Sequence, residues 1–168
     1  YSISIVDKID TLVGFFLINE KPSSSKDPFA LRRAAIGLLR IIIENKLSIK
    51  IRDLIVYSIR LYEEQGVEII NEDAEMEVLD FLKERMRNIL KLKKIKIDII
   101  EASVSSHNGD NFLDLYKKNL LMNKYIKKDV GINAINSYKR ASNITDKADK
   151  RIMGRPDTVL FRTDEEKM

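Results

Sequence analysis

The segment KPSSSKDPFALRRAA, Lys21 to Ala35, gathers the side chains best suited to binding an anion. Two lysines and three serines precede Pro28, and two adjacent arginines follow it. Asp27 is a good N-cap and Pro28 a good first helical residue, so the segment predicts a loop followed by a helix. Free N–H groups at a helix start, cationic side chains and hydroxyls all bind anions. A solvated helix start, with arginines in water or paired to acids, is the alternative, and residue types alone leave both open.

The helix predicted after Pro28 has two different faces. Apolar residues at helical spacing form one stripe that must face the core. The stripe consists of Leu31, Ala35, Leu38 and Ile42. Arg33, Gly37 and Arg40 lie on the opposite side. Glycine costs about 1 kcal/mol relative to alanine inside a helix, so Gly37 predicts a neighbour that approaches the backbone closely between two cations.

Composition limits the classes of function. The chain has 168 residues, 44% hydrophobic and 33% charged, and its net charge of +4 permits a nucleic-acid partner without requiring one. The absence of cysteine excludes disulfides, thiol catalysis and zinc–thiolate sites. The longest apolar run, Leu12 to Ile18, is far shorter than the about 20 residues of a membrane span, so we predict a soluble chain. No signal peptide is visible. Because the sequence opens on Tyr1 rather than on Met and ends on DEEKM without a closing signal, we expect a fragment of a longer protein.

Helical periodicity runs through almost the whole sequence, and no alternating strand pattern exceeds a few residues. We therefore predict an all-α fold, a helical bundle of about seven helices, as one body or as two packed helical units. Gly66 is expected to end the third helix, and residues 66–71 to separate the two units. The predicted helices cover about residues 3–19, 28–45, 50–65, 96–104, 112–127 and 132–147, with a further helix capped by Asn71. Gly131 is expected to break the chain, and the tail after Lys150, which contains the turn signal MGRPDT, is expected to be loose.

The pattern lacks the side chains of a self-contained enzyme site. The single histidine, His107, lies in the polar turn SSHNGDN with no partner for acid–base catalysis nearby, and we interpret it as a surface turn residue. There is no Walker-type phosphate loop and no GxGxxG. We predict no catalytic residue and no metal site in this chain.

One long segment carries a resemblance to a known family. Val6 to Ile41, VDKIDTLVGFFLINEKPSSSKDPFALRRAAIGLLRI, resembles the β subunit of the bacterial tetrameric glycyl-tRNA synthetase, which has a segment close to ADKLDTLVGFF and then EKPTGSKDPFALRRAALG. Ser23 and Ser24 replace the threonine and glycine of that family, which argues against any loop conformation that needs a positive backbone dihedral there. FLKERMRNIL (Phe81 to Leu90) and YKRASNI (Tyr138 to Ile144) resemble other parts of the family more loosely.

The resemblance implies a role in attaching glycine to its tRNA. In that family the β subunit binds tRNA, and a smaller α subunit makes glycyl-adenylate from glycine and ATP, in an α2β2 assembly of the bacterial cytoplasm. The chain would be a C-terminal part of the β subunit: the end of an HD-like helical domain over 1–66 and a DALR-type anticodon-binding region over 71–168, truncated at its C-terminus. The fragment would bind no cofactor itself, because ATP with Mg is used on the α subunit.

The VDKID segment also resembles the last helix of HD phosphohydrolases, whose aspartate binds a metal. Asp7 or Asp10 would be the candidate ligand, but the other ligands of such a site are not in the chain, and one carboxylate cannot hold a catalytic metal. We therefore prefer a salt-bridged or capping aspartate, and a phosphohydrolase is the third hypothesis for function.

Cations of the loop and of two helices are the predicted tRNA contacts. They are Lys21, Lys26, Arg32, Arg33, Arg40, Lys83, Arg87, Lys91 and Lys94. The last four form one ridge of the fourth helix, extended by Lys93 and Lys96, where bases that follow acids would also suit the helix dipole. Phosphate contacts position a nucleic acid, and unpaired bases are read by stacking, for which three tyrosines are available: Tyr116, Tyr125 and Tyr138. A place in the core is the alternative for each of them, and at helical spacing it is the more common one. The alternative is a structural or subunit-docking helical module without tRNA contact.

Overall fold

A computed structural model describes residues 1–23, 25–107 and 109–147. In these residues all regular structure is helical, and the predicted all-α class with seven helices is confirmed. The helices are α1 (Ser2–Leu17), α2 (Leu31–Glu44), α3 (Ile51–Glu64), α4 (Ala74–Leu92), α5 (Ile97–Ser105), α6 (Phe112–Tyr125) and α7 (Asp129–Lys147). No helix of this described part is long and apolar enough to cross a membrane. The chain divides into two compact units, Tyr1–Lys124 and Tyr125–Met168.

The first unit is built around α1, which contacts α2, α3 and α4. Six apolar residues at helical spacing are buried along it: Ile5, Ile9, Leu12, Val13, Phe16 and Leu17. Burying a side chain of this kind contributes about 1.5–3 kcal/mol relative to leaving it in water. The predicted stripe of α2 is confirmed too, since all four of its members are buried: Leu31, Ala35, Leu38 and Ile42.

The start of α2 differs from the prediction. Pro28 and Phe29 lie in a turn, Ala30 has a left-handed backbone with φ of 56°, and the helix begins at Leu31. A left-handed alanine costs about 1 kcal/mol. Phe29 stacks on Phe15 of α1 with ring centroids 4.0 Å apart, and this aromatic contact offsets that cost. The prediction of Pro28 as the first helical residue was wrong by three positions.

Asp27 accepts hydrogen bonds from the start of α2, as expected of a cap, but the N-cap position is Ala30 and not Asp27 as predicted. The carboxylate of Asp27 accepts hydrogen bonds from the backbone N–H of Leu31 at 2.8 Å and of Arg32 at 3.1 Å. These are two of the N–H groups that have no partner within the helix. Asp27 therefore caps the helix from outside it, across the turn that Phe29 anchors.

The start of α3 is capped by a residue from a distant part of the sequence. Its N-cap residue, Lys50, makes no side-chain cap. Instead Asp110, between α5 and α6, accepts a hydrogen bond from the N–H of Arg52 at 3.0 Å through its carboxylate and from the N–H of Ile51 at 3.3 Å through its carbonyl. At the other end of α3, Gly66 has φ of 75° and ends the helix as predicted.

Residues 66–71 attach to the end of α1. The N–H groups of Ile70 and Asn71 both donate to the carbonyl of Leu17 at 3.0 Å, and the amide of Asn71 donates to the carbonyl of Phe16 at 3.0 Å. The first unit therefore runs through the segment that was expected to separate two helical units. The assignment of 1–66 and 71–168 to two family domains stays a prediction.

Asn71 is not the N-cap of α4. That helix begins at Ala74, with Asp73 at the N-cap position, and the side chain of Asn71 accepts a hydrogen bond from the N–H of Asp73 at 3.2 Å. Its amide instead donates to the carbonyl of Phe16 in α1 and to the carboxylate of Glu77 in α4, so Asn71 connects these two helices.

The second unit contains α7, which starts earlier than predicted. Gly131 lies in its first turn, so the expectation that this glycine breaks the chain was wrong. A Cβ at this position would collide with the carbonyl of Tyr125, so glycine is required for the close approach of these two residues within the second unit. Ser24 and the tail after Lys150 lie outside the described residues.

Leu38→Ala tests the core face of α2. Leu38 is 0% exposed, so truncation should reduce the free energy of unfolding by about 2–5 kcal/mol. Leu121→Ala is the matched control, because Leu121 is 66% exposed on α6 and should change stability by less than about 0.5 kcal/mol. Chemical denaturation followed by circular dichroism gives both values, and equal effects would show that the face of α2 is assigned wrongly.

Candidate nucleic-acid interface

Two cations of the predicted set hold the loop before α2 in place. The ammonium of Lys21 pairs with Glu77 of α4 at 2.6 Å. The guanidinium of Arg32 donates to the backbone carbonyl of Ser23. Both side chains therefore have intramolecular partners, and a phosphate would have to compete with these for them.

Lys26 and Arg33 differ from these two cations. Both are exposed, and in the described residues neither side chain has an acidic partner or a side-chain hydrogen bond. Ser23 accepts a hydrogen bond from the backbone N–H of Lys26 at 3.2 Å, which fixes the loop but leaves the ammonium in water. These two cations are free to meet a phosphate.

The predicted ridge of α4 separates into two halves. Lys83 pairs with Asp80 at 3.3 Å, and Arg87 pairs with Glu101 of α5 at 3.1 Å. Lys91 is exposed in the last turn of α4, whereas Lys94 lies beyond the end of the helix, with φ of 57°, and not on it as predicted. Neither has such a partner among the described residues. Acids of α4 and α5 neutralise the first half of the ridge, so positive charge is concentrated in the second half.

Gly37 confirms the expected close approach, but the neighbour belongs to the chain itself. A Cβ at this position would lie 3.0 Å from Cε of Lys8, whose side chain crosses α2 from α1. Packing of α1 on α2 therefore explains Gly37, and the space that the glycine provides is already filled.

The C-terminal parts of α2 and α4 and one side of α6 enclose a groove with a volume of about 380 Å³. Its lining residues are Arg40, Ile43, Glu44, Ile89, Leu92, Lys93 and Tyr116. Arg40 belongs to the predicted contact set, Lys93 extends the predicted ridge, and Tyr116 is one of the three tyrosines proposed for stacking. We call this the α2–α4–α6 groove.

Tyr116 is half-buried, whereas the other two tyrosines, Tyr125 and Tyr138, are exposed by 49% and 74% in the second unit. Tyr116 shares the α2–α4–α6 groove with Arg40 and Lys93, two cations of the predicted surfaces. The sequence pointed to Tyr116, Arg40 and Lys93 one by one, but it did not predict that all three line one groove. They lie on three helices, and no local spacing reports contacts between helices.

His107 is less exposed than predicted. It lines a second groove of about 650 Å³, beside Lys83 and Arg87, and its Nε2 is buried without a hydrogen-bond partner in the described residues. Burial, then the charges of Lys118 and Lys83, lower the pKa of His107, against smaller opposite effects of Asp114 and Asp110. This shift favours the neutral imidazole over the charged one.

The aspartates of VDKID have local roles in the structure. Asp7 lies 3.6 Å from the ammonium of Lys8, and the backbone carbonyl of Asp10 accepts a hydrogen bond from the hydroxyl of Tyr62 at 3.3 Å. Within residues 1–23, 25–107 and 109–147, no three carboxylates, imidazoles or thiols converge as a metal site would require.

Comparison with known families assigns a class to this helical chain. The family model for the glycyl-tRNA synthetase beta subunit matches residues 1–105. The chain belongs to this family of aminoacyl-tRNA synthetase subunits, and the resemblance seen between Val6 and Ile41 is confirmed.

Individual relatives extend the match over nearly the whole chain. It is 40% identical over 165 residues to the glycine–tRNA ligase beta subunit of Rickettsia canadensis (strain McKiel), covering 98% of this chain and 23% of the relative. The beta subunit of Clostridioides difficile (strain 630) is 32% identical over 148 residues, which is 88% of this chain and 21% of that protein. The beta subunit of Ruegeria sp. (strain TM1040) is 32% identical over 150 residues, which is 89% of this chain and 20% of that protein. The chain thus spans less than a quarter of the length of these relatives.

Glu77 connects the loop to α4, and its titration tests that connection. It accepts hydrogen bonds from Lys21 at 2.6 Å and from the amide of Asn71 at 2.7 Å. The bond from Lys21, assisted by Asn71 and by the lysine charge, lowers the pKa of Glu77 although desolvation opposes this. A lowered pKa in the folded state stabilises the protein above the ordinary glutamate pKa, and this stabilisation is lost as the pH falls through the lowered value.

We expect Lys21→Ala to raise the pKa of Glu77, because the first cause of the shift is removed. Titration of the side-chain carboxyl by NMR measures this directly. Lys26→Ala removes a loop cation that has no such contact and should leave the pKa of Glu77 unchanged. An identical pKa in wild type and Lys21→Ala would mean that the ion pair does not form in solution.

Proposed function

We propose that this chain is a tRNA-binding, non-catalytic part of the beta subunit of a glycine–tRNA ligase. Family membership is the observation that carries the proposal. The unpaired cations of the first unit support the tRNA contact, because phosphates account for much of the affinity of a protein for a nucleic acid. The cations proposed to contact phosphate directly are Lys26, Arg33, Arg40, Lys91 and Lys94.

The remaining members of the predicted set have a different proposed role. Lys21, Arg32, Lys83 and Arg87 are engaged with protein groups and would shape the surface rather than bind phosphate directly. A loop held in position by Lys21 and Arg32 presents Lys26 in a defined place, and preorganisation of this kind lowers the entropic cost of binding.

The proposal includes partners that lie outside this chain. The glycine tRNA is the proposed substrate, and an α subunit is the proposed partner in an α2β2 assembly in the bacterial cytoplasm. Glycyl-adenylate would form on that α subunit with ATP and Mg, so that this chain itself needs no cofactor. Assignment of these residues to a C-terminal part of the beta subunit likewise remains a proposal.

A docking module is the second candidate, and the first unit offers a surface that favours it. Val6 and Leu61 line an apolar groove of about 190 Å³ between α1 and α3 together with Tyr57, which is 55% exposed. Such a surface is better suited to a protein partner than to phosphates. In this case tRNA contacts would lie elsewhere in the full-length subunit.

Binding of glycine tRNA at two salt concentrations separates the two candidates. Lys26→Ala combined with Arg33→Ala should weaken binding and reduce the slope of log K against log salt by about 2, since two phosphate contacts are lost. Lys50→Ala combined with Arg60→Ala is the control, because it removes the same charge from exposed positions near or on α3 that the proposal does not use. Absence of tRNA binding by the wild-type chain at both salts would favour the docking module.

Glycine attachment by the complete enzyme tests the wider proposal. The full-length subunit that contains this sequence, mixed with its α subunit, glycine and ATP, should charge glycine tRNA and not an unrelated tRNA. Acid-gel or filter assays measure the charged fraction. Failure to charge the glycine tRNA with active α subunit present would contradict the assignment as a ligase subunit.

A further inference from the structure

We propose that the α2–α4–α6 groove binds one unpaired nucleotide of an RNA, with its base against Tyr116 and its phosphate between Arg40 and Lys93. This inference rests on the proposed function and assigns the position at which a base, rather than the phosphate backbone alone, meets the first unit.

The walls of the groove match the faces of a base. Ile43, Ile89 and Leu92 line it with Tyr116, and Leu92 is 77% exposed although it is fully apolar. A volume of about 380 Å³ lies at the small end of the range of about 300–1,000 Å³ that ligand pockets occupy. A half-buried tyrosine ring next to aliphatic side chains is a surface on which unpaired bases stack.

The charges of the groove match a phosphate at its edge. Arg40 and Lys93 are both exposed, and neither has an acidic partner among the described residues. Glu44 also lines the groove, so the two cations outnumber one carboxylate. A carboxylate cannot donate to a phosphate, but it accepts hydrogen bonds from the amino group of a base. A nucleotide carries a phosphate for the two cations, a ring for the apolar walls and polar edges for Glu44. A free phosphate would contact only the cations, so the lining fits a nucleotide better.

Helix electrostatics supplies the competing explanation. The groove lies near the C-terminal ends of α2 and α4, where the helix dipoles favour cations in any case. If Arg40 and Lys93 served only the helices, their removal would lower stability and leave RNA binding unchanged. Stability and binding measured on the same variants therefore distinguish the two roles.

Three variants of the chain test the site. Tyr116→Leu keeps an apolar side chain and removes the ring, whereas Tyr116→Phe keeps the ring. Arg40→Ala with Lys93→Ala removes both cations at exposed positions, where the fold should tolerate the change. Lys50→Ala with Arg60→Ala is again the matched charge control. The probes are glycine tRNA and a single-stranded RNA of ten nucleotides, and the measurement is fluorescence anisotropy at two salt concentrations.

We expect Tyr116→Leu to weaken binding of the single-stranded RNA by about 5- to 150-fold, as the loss of one stacked base does. Tyr116→Phe should stay within about 2-fold of wild type. The Arg40 and Lys93 double variant should reduce the salt slope by about 2, and the control should not.

Two results would overturn the groove and leave tRNA binding through Lys26, Arg33, Lys91 and Lys94 in place, although the second would also remove Arg40 from the proposed phosphate contacts. One is wild-type affinity in folded Tyr116→Leu, and the other is an unchanged salt slope in the double variant. If circular dichroism shows that Tyr116→Leu does not fold, the salt slope of the Arg40→Ala and Lys93→Ala double variant is the test of the groove. If the wild-type chain binds neither RNA, the proposed function fails together with the site.

Discussion

Removal of one face of α1 from water is the constraint on which the rest of the first unit depends. Three helices cover that face, and Phe16 also meets Phe81 of α4 with ring centroids 5.4 Å apart. The carbonyl groups at the end of α1 then serve as the anchor for residues 66–71. A single helix therefore determines where α2 and α4 can lie, and hence which cations of those helices come near one another.

The same packing divides the basic residues into two groups. Lys21 and Arg87 pair with acids on neighbouring helices, whereas Arg40 and Lys93, near helix ends, have no acidic partner in the part of the chain that the structure describes. Ion pairs that are partly exposed contribute little to stability, but they decide which charges remain available. A net charge of +4 thus understates the positive charge at the ends of α2 and α4.

Features that depend on residues close together in the sequence were predicted correctly. Helix existence, the buried stripe that includes Leu38 and the role of Asp27 follow from spacing and residue type, and the structure confirms them. The turn at Phe29 was not predictable in this way, because it depends on stacking with Phe15 in another helix. The same holds for the ion pair of Glu77 with Lys21, which occupies one of the candidate phosphate contacts, and for the groove that Tyr116 shares with Arg40. Each of these contacts joins segments that are far apart in sequence, and periodicity carries no information on such pairs.

Because Asp110 caps α3 from a later part of the sequence, the first turn of this helix is completed only after the later helices have been made. The first turn of α3 receives its side-chain acceptor from a residue 58 positions later than Arg52. During synthesis, α3 emerges from the ribosome before that acceptor exists, and its leading N–H groups are left to water. The turn between α5 and α6 thus completes a helix made earlier. Protection of those amides from hydrogen exchange therefore reports docking of the later helices onto the earlier ones.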